Sequence, residues 1–343
     1  MNSPFPSASS AGALSGLTPE SFVRHWVHGE ESDWSNTNCY LDVWMNVLDS
    51  LGLDPIPAFA SAISAEFVGD QWEFLKVRSE DLETLYGIRF GEYDTWRPLH
   101  EHLAGQLASG NLAIVEVDAF YLPDTVGVSY REEHTKTSIA PVLLDQDAHR
   151  LVYFHNGGLH ELFKEDYDNT VGAASEQGFV PRPYVDLIRL DGLQRFDAGR
   201  FPAAAQQVLK AHLRRIGNSS QQHPMVQLTD YVLSQREVLA ESGMAHFHQF
   251  SFATTRQAGL SAMFASEVAQ WFADAETRPE VALPLGQAAQ AFAEASSTAK
   301  RLQFQLARVA AGRRPDLQPT TEALNEAWDR GITLMKQWDA FDE

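Results

Sequence analysis

Cys39 is the single cysteine of the chain. It lies in Ser35-Asn-Thr-Asn-Cys-Tyr40, where a helical pattern begins. Backbone N–H groups at a helix start carry partial positive charge and favour thiolate over thiol. A thiolate is the nucleophile that cysteine catalysis requires. The other common fate of a free cysteine is to pack inside as a small apolar residue. A nucleophilic cysteine also needs a base. His134, in Arg131-Glu-Glu-His-Thr-Lys136, stands immediately before a strand-like run. A third group then orients the imidazole from the end of the following strand, and Asn156 occupies that place. The alternative for His134 is a solvated loop histidine paired with Glu132 or Glu133.

An acyl transfer through a thiolate needs donors for the developing oxyanion. The backbone N–H of Cys39 is one candidate. The side-chain amides of Asn36, Asn38 and Gln71 are others, although Gln71, in Gly69-Asp-Gln-Trp72, equally suits a turn. Asp118 directly follows a strand-like run; it either binds a substrate ammonium or caps the next turn. His246 and His248 do not suggest a metal, because helical residues two apart point about 200° from one another. His100 and His102 share that spacing. With no His-Glu-x-x-His and no phosphate-cradling glycine loop, no metal, nucleotide or other cofactor is expected.

The elements that must position these groups follow from periodicity. Leu41, Trp44, Leu48 and Leu51 fall on one helical face, with Thr37 and Asn38 as caps and Gly52 and Pro55 as stops. A second helical stretch covers Trp96 to Ala108. Strands are expected at Leu112–Val117, Ser138–Leu144 and Leu151–His155, with Asp145 to Arg150 as a hairpin turn. Pro141 argues for an edge or a bulge in its strand. Beyond about residue 200 the period is helical: 202–216, 225–241, a helix carrying Leu260, Met263, Phe264, Val268, Trp271 and Phe272, then 284–311 and 319–340. The expected organisation is a mobile arm over 1–18, an α+β domain over 19–195 and an all-α bundle over 196–343.

The chain has 343 residues, with 46 acidic and 26 basic side chains and a formal net charge of −20. Such a surface repels phosphate backbones and anionic lipid, so neither nucleic acid nor membrane is an expected partner. No apolar run approaches the ~20 residues that span a bilayer, and the first residues lack the features of a secretion signal; a cytoplasmic protein is the default. Lys210, Arg214 and Arg215 cluster, as do Lys300, Arg301, Arg308, Arg313 and Arg314. They form either a docking patch for an acidic partner or ordinary solvated helix faces.

The stretch Val117-Asp-Ala-Phe-Tyr-Leu-Pro123, followed by His134 and the hairpin to Asn156, resembles the N-terminal domain of the butirosin-type (BtrH-like) acyltransferases. Those are papain-like cysteine enzymes that take an aminoacyl group from a carrier-protein thioester and pass it to an amine. A fuller resemblance is carried by Asn38-Cys-Tyr-Leu-Asp-Val-Trp44, Gly69-Asp-Gln-Trp72 and His246-Phe-His-Gln-Phe250. It is to an uncharacterised bacterial family whose genes lie near amino acid:carrier-protein ligases. The resemblance implies a papain-like cysteine-enzyme domain followed by a helical bundle, with Cys39 as nucleophile and His134 as base. Asn38, Gln71, Asp118 and Tyr121 would contact substrate. The third catalytic place is usually Asp in that group; here Asn156, His155 and Asp145 compete for it. The implied partners are an aminoacylated acyl carrier protein and its ligase pathway, and an acidic bundle is compatible with a homodimer. Two rivals use the same residues: a cysteine peptidase or amidase, and a binding protein that kept the fold without the chemistry.

Overall fold

The computed structural model describes residues 8–10, 12–29, 33–34, 36–196, 200–217 and 223–340. In chain order its strands are β1 (Ala8–Ser10), β2 (Phe67–Val68), β3 (Gln71–Trp72), β4 (Arg89–Tyr93), β5 (Leu112–Asp118), β6 (Lys136–Asp145), β7 (Arg150–His155), β8 (Gly158–Phe163) and β9 (Val185–Arg189). Its helices are α1 (Cys39–Ser50), α2 (Ser79–Tyr86), α3 (Leu99–Ala108), α4 (Lys164–Thr170), α5 (Arg200–Gly217), α6 (Pro224–Ser234), α7 (Arg236–Ser251), α8 (Gln257–Ala275), α9 (Pro279–Ala310) and α10 (Gln318–Ala340). The protein is α+β, a sheet-containing N-terminal region followed by a helical one. The chain forms two compact units: Met1–Pro55 with Ser79–Phe196, and Ile56–Arg78 with Asp197–Glu343.

The first unit is built on an antiparallel sheet of order β4-β9-β5-β6-β7-β8, with β1 also paired to β6. β1 falls within the stretch expected as an arm. Both faces of β5 are covered from Leu112 to Val115, which is why those four residues read as a continuous apolar run rather than an alternating one; Glu116 breaks the run and pairs with Lys136. β6 is bulged between Pro141 and Leu143. On its other edge β5 pairs only as far as Ile139 and β1 begins at Leu143. The residue without an N–H thus sits in a gap of the ladder, where a missing donor costs least. In the β6–β7 turn the Asp145 carboxylate accepts from the N–H groups of Asp147 and Ala148.

Helix α1 packs on β6 and β7. Asn38 starts it: its side-chain oxygen accepts from the N–H of Leu41 at 3.2 Å. Gly52 ends it in the left-handed conformation (φ +68°). There the Gly52 N–H reaches the Asp49 carbonyl and the Leu53 N–H reaches that of Leu48, which is the paired closure of a Schellman turn. Every residue from Tyr40 to Leu48 is buried, as expected of a helix held inside a unit rather than on its rim.

In the second unit the segment Ile56–Ser64, whose residues are all buried, packs on α5 and α8, and α9 packs on α8 and α10. The Phe59 ring stacks on Phe264 with centroids 4.5 Å apart. The Trp72 indole N–H donates to Ser261 at 2.9 Å, and its ring meets Trp328 edge-on. The period expected as one helix over 225–241 is interrupted at Gln235, between α6 and α7. The final long pair is α9 and α10. Among the described residues no helix is long and apolar enough to cross a membrane.

Candidate functional site

Asp118 closes β5 directly opposite Lys136 of β6, and the Ala119 N–H donates to the Thr135 carbonyl at 2.8 Å. That register brings His134, the residue before Thr135, beside Asp118. The two oxygens of the Asp118 carboxylate do different work. Oδ1 accepts from the Phe120 N–H at 3.0 Å and caps the turn Ala119–Tyr121. Oδ2 lies 2.6 Å from His134 Nδ1. A carboxylate can only accept, so Nδ1 carries a proton and, in the neutral ring, Nε2 presents a lone pair. The Asp118 side chain is 4% exposed and that of His134 51%: a buried anchor aims an accessible imidazole.

Aromatic rings fix the plane of that imidazole. Phe120 stacks on it with centroids 4.3 Å apart and an angle of 12°. Tyr121 approaches edge-on at 6.3 Å, and Phe179 lies at 5.9 Å. Arg131, in the left-handed region at φ 58°, braces the group. Its N–H donates to the Phe120 carbonyl, and its guanidinium lies over the Tyr121 ring at 5.1 Å. The same guanidinium donates to Asp166 at 2.6 Å.

Cys39 is the first residue of α1 and is half-buried. Among the described residues no hydrogen bond joins its thiol to His134. Asn38, expected near substrate, is the N-cap of α1. Asn156 adopts the left-handed conformation (φ 48°) in the β7–β8 turn. Its carbonyl accepts from Asn46 Nδ2 at 2.7 Å, which ties this turn to α1. Its side chain faces His155 rather than His134. His155 is itself engaged: Nδ1 meets Asp124 at 2.6 Å and Nε2 meets the Thr137 hydroxyl at 2.8 Å. Tyr153 donates to the other oxygen of Asp124 at 2.5 Å. Burial alone would raise the Asp124 carboxyl, but the His155 hydrogen bond and neighbouring charges hold it below its ordinary value. Asp145 serves its own turn. The carboxylate on His134 is therefore Asp118. Gln71 is exposed on the β2–β3 hairpin, in the helical unit.

A second polar group, not singled out in the sequence, lies on α1 itself. Asp42 and Asn46 follow Cys39 by one and two turns on the same helix face. Asp42 Oδ1 is 3.5 Å from His28 Nδ1. Burial pushes the Asp42 carboxyl up to about 8 and the His28 imidazole down to about 4. The backbone of Gly157 makes room for His28: a Cβ there would stand 2.7 Å from the His28 Cβ. Sequence periodicity offered one signal, polar residues in a helix otherwise apolar all round.

This pair should shape stability against pH. From about pH 4 to 6.5 the folded protein holds a proton on Asp42 that the unfolded chain releases, and lacks one on His28 that the unfolded chain takes up; the two effects oppose. From pH 6.5 to about 8 only Asp42 differs. There the folded state binds more protons, so stability falls as pH rises, by about 2 kcal/mol in all. Asp42→Asn removes that slope. Urea unfolding at both ends of the window measures it, and a variant that keeps the wild-type slope would place its origin elsewhere.

Together these features define an α+β protein with a carboxylate-anchored, accessible imidazole at the β5–β6 strand ends and a cysteine-headed helix packed on β6. Residues 23–190 match the DUF1839 N-terminal domain and residues 200–337 the DUF1839 C-terminal domain. The chain belongs to the DUF1839 family. No curated protein matches it.

Proposed function

We propose that this protein is a thiol-dependent acyltransferase that moves an aminoacyl group from a carrier-protein thioester to an amine. The observation that carries the reading is the Asp118–His134 pair. A buried carboxylate on Nδ1 fixes the tautomer and leaves Nε2 to take and return a proton. Cys39, at the start of a helix packed on β6, is the nucleophile in this reading. Its papain-like character and its carrier-protein donor rest on the likeness to the butirosin-type acyltransferases.

In the first step the Cys39 thiol gives its proton to His134 Nε2 and the sulfur attacks the thioester carbonyl. Collapse of the tetrahedral intermediate breaks the carrier's C–S bond, and His134 returns the proton to the departing carrier thiolate. The aminoacyl group now rests on Cys39 Sγ. In the second step an acceptor amine attacks that carbonyl and passes a proton to His134. Collapse forms the amide and regenerates Cys39. Thioester-to-thioester exchange is nearly balanced, whereas amide formation runs downhill.

Intact-protein mass after mixing with aminoacylated carrier protein tests this. A gain of one aminoacyl group, absent in Cys39→Ala, is the expected result. No adduct, with rapid alkylation of Cys39 by iodoacetamide near neutral pH, would retain the nucleophile and reject the donor. No adduct and a sluggish thiol would reject the catalytic reading.

A further inference from the structure

The chemistry proposed above leaves Asp42, Asn46 and His28 unused, yet all three are buried. Each has a shielded polar atom without a hydrogen-bond partner among the described residues: Asp42 Oδ2, Asn46 Oδ1 and His28 Nε2. A buried polar atom left unpaired costs roughly 1–3 kcal/mol, and three in one cluster point to something that pairs with them. Asn46 Oδ1 can only accept. By itself Asp42 keeps its proton up to about pH 8; a cation seated beside it favours the carboxylate, which can then only accept. Once Asp42 is ionised, His28 Nδ1–H faces its Oδ1, and Nε2 is then an acceptor too. The complement of three such acceptors, one of them then anionic, is a cation with several N–H donors.

Position adds to this. Asp42 stands three residues after Cys39, and side chains so spaced on a helix have Cβ atoms about 5–6 Å apart. In an α-aminoacyl thioester the amine is separated from sulfur by only the carbonyl carbon and Cα. An acyl group on Cys39 Sγ laid along the helix would span that separation and set its amine against Asp42.

We propose that Asp42, with Asn46 and His28, binds the ammonium of an α-aminoacyl group carried on Cys39, and so selects aminoacyl over plain acyl donors. This rests on Cys39 as the acyl carrier. The experiment compares glycyl and propionyl thioesters of N-acetylcysteamine, which differ by NH3+ against CH3. Loading of Cys39 is followed by intact mass, and each rate is divided by that donor's rate with free cysteine.

The corrected glycyl-to-propionyl ratio is expected to be about 10- to 100-fold, the range a charge-assisted hydrogen bond supplies. Asp42→Asn, nearly identical in shape, should bring the ratio close to one, and Asn46→Ala should lower it in part. Circular dichroism and thermal unfolding report whether each variant is folded. If Asp42→Asn does not fold, the wild-type ratio and Asn46→Ala decide. A wild-type ratio near one, with both donors loading Cys39, overturns the ammonium site and leaves acyl transfer standing. A ratio that survives in a folded Asp42→Asn protein does the same. If neither donor loads Cys39 in the wild type, the ammonium site falls, and the carrier-protein assay above decides acyl transfer on its own.

Discussion

Replacing His134 by alanine is expected to slow aminoacyl transfer by about 10²–10⁴-fold, the usual contribution of a positioned acid–base group. The ring is half-exposed, and among the described residues its hydrogen bond is the one from Nδ1 to Asp118, so its removal should cost chemistry far more than folding. Asp118→Asn gives the sharper result. An amide can turn its NH2 toward Nδ1 and drive the proton to Nε2, the tautomer that cannot accept from Cys39. A loss approaching that of His134→Ala is therefore expected, while the Oδ1 cap on Phe120 can be retained by the amide oxygen or lost. Single-turnover kinetics with aminoacylated carrier protein separates the roles. If Asp118→Asn transfers normally while His134→Ala does not, Asp118 is only a turn cap. If both transfer normally, the dyad has no part in the reaction.

The second large effect concerns stability. Phe59→Ala is expected to destabilise the helical unit by about 3–5 kcal/mol, the cost of emptying a well-packed aromatic site. Phe59 is fully buried and stacked on Phe264. Its segment, Ile56–Arg78, belongs with the helices although it lies far upstream of them. It also supplies Ser64, whose hydroxyl meets His212 Nδ1 at 2.7 Å, and Trp72, whose N–H reaches Ser261. A fragment of residues 197–343 alone would lack all of this and should behave as a loosely packed helical state. It should keep its far-ultraviolet signal, lose its near-ultraviolet signal and bind an apolar dye. Restoring 56–78 through a fused linker should recover fixed packing. A fragment that unfolds cooperatively without the segment would show that the helices suffice.

Local signals in the sequence determined a good part of this molecule. Asn38 ahead of Cys39 and Gly52 after Leu51 mark both ends of α1, because capping and a left-handed closure involve only residues a few positions apart. The strand-like run at 112–117, the turn at 145–150 and the bulge signalled by Pro141 are similarly local. The helical period beyond residue 200 is legible for the same reason. β4 and β9 were not visible: they are five residues each and pair across about a hundred positions, Arg89 opposite Arg189. No short-range pattern encodes such a partner.

The site divides the same way. Sequence grouped Cys39 and His134 with Asn156 and marked Asp118 only as an ammonium binder or turn cap, so it could not say that Asp118, rather than Asn156, His155 or Asp145, would hold the imidazole. That choice depends on the register of β5 against β6, which sets Asp118 opposite Lys136. Register is decided by which faces the whole sheet buries. The allegiance of 56–78 to the helices is likewise a matter of packing, not pattern. A residue's type limits the chemistry it can perform. Which neighbour completes that chemistry is settled only when distant segments share one core, because burial is a property of the assembled layers and not of any stretch of chain.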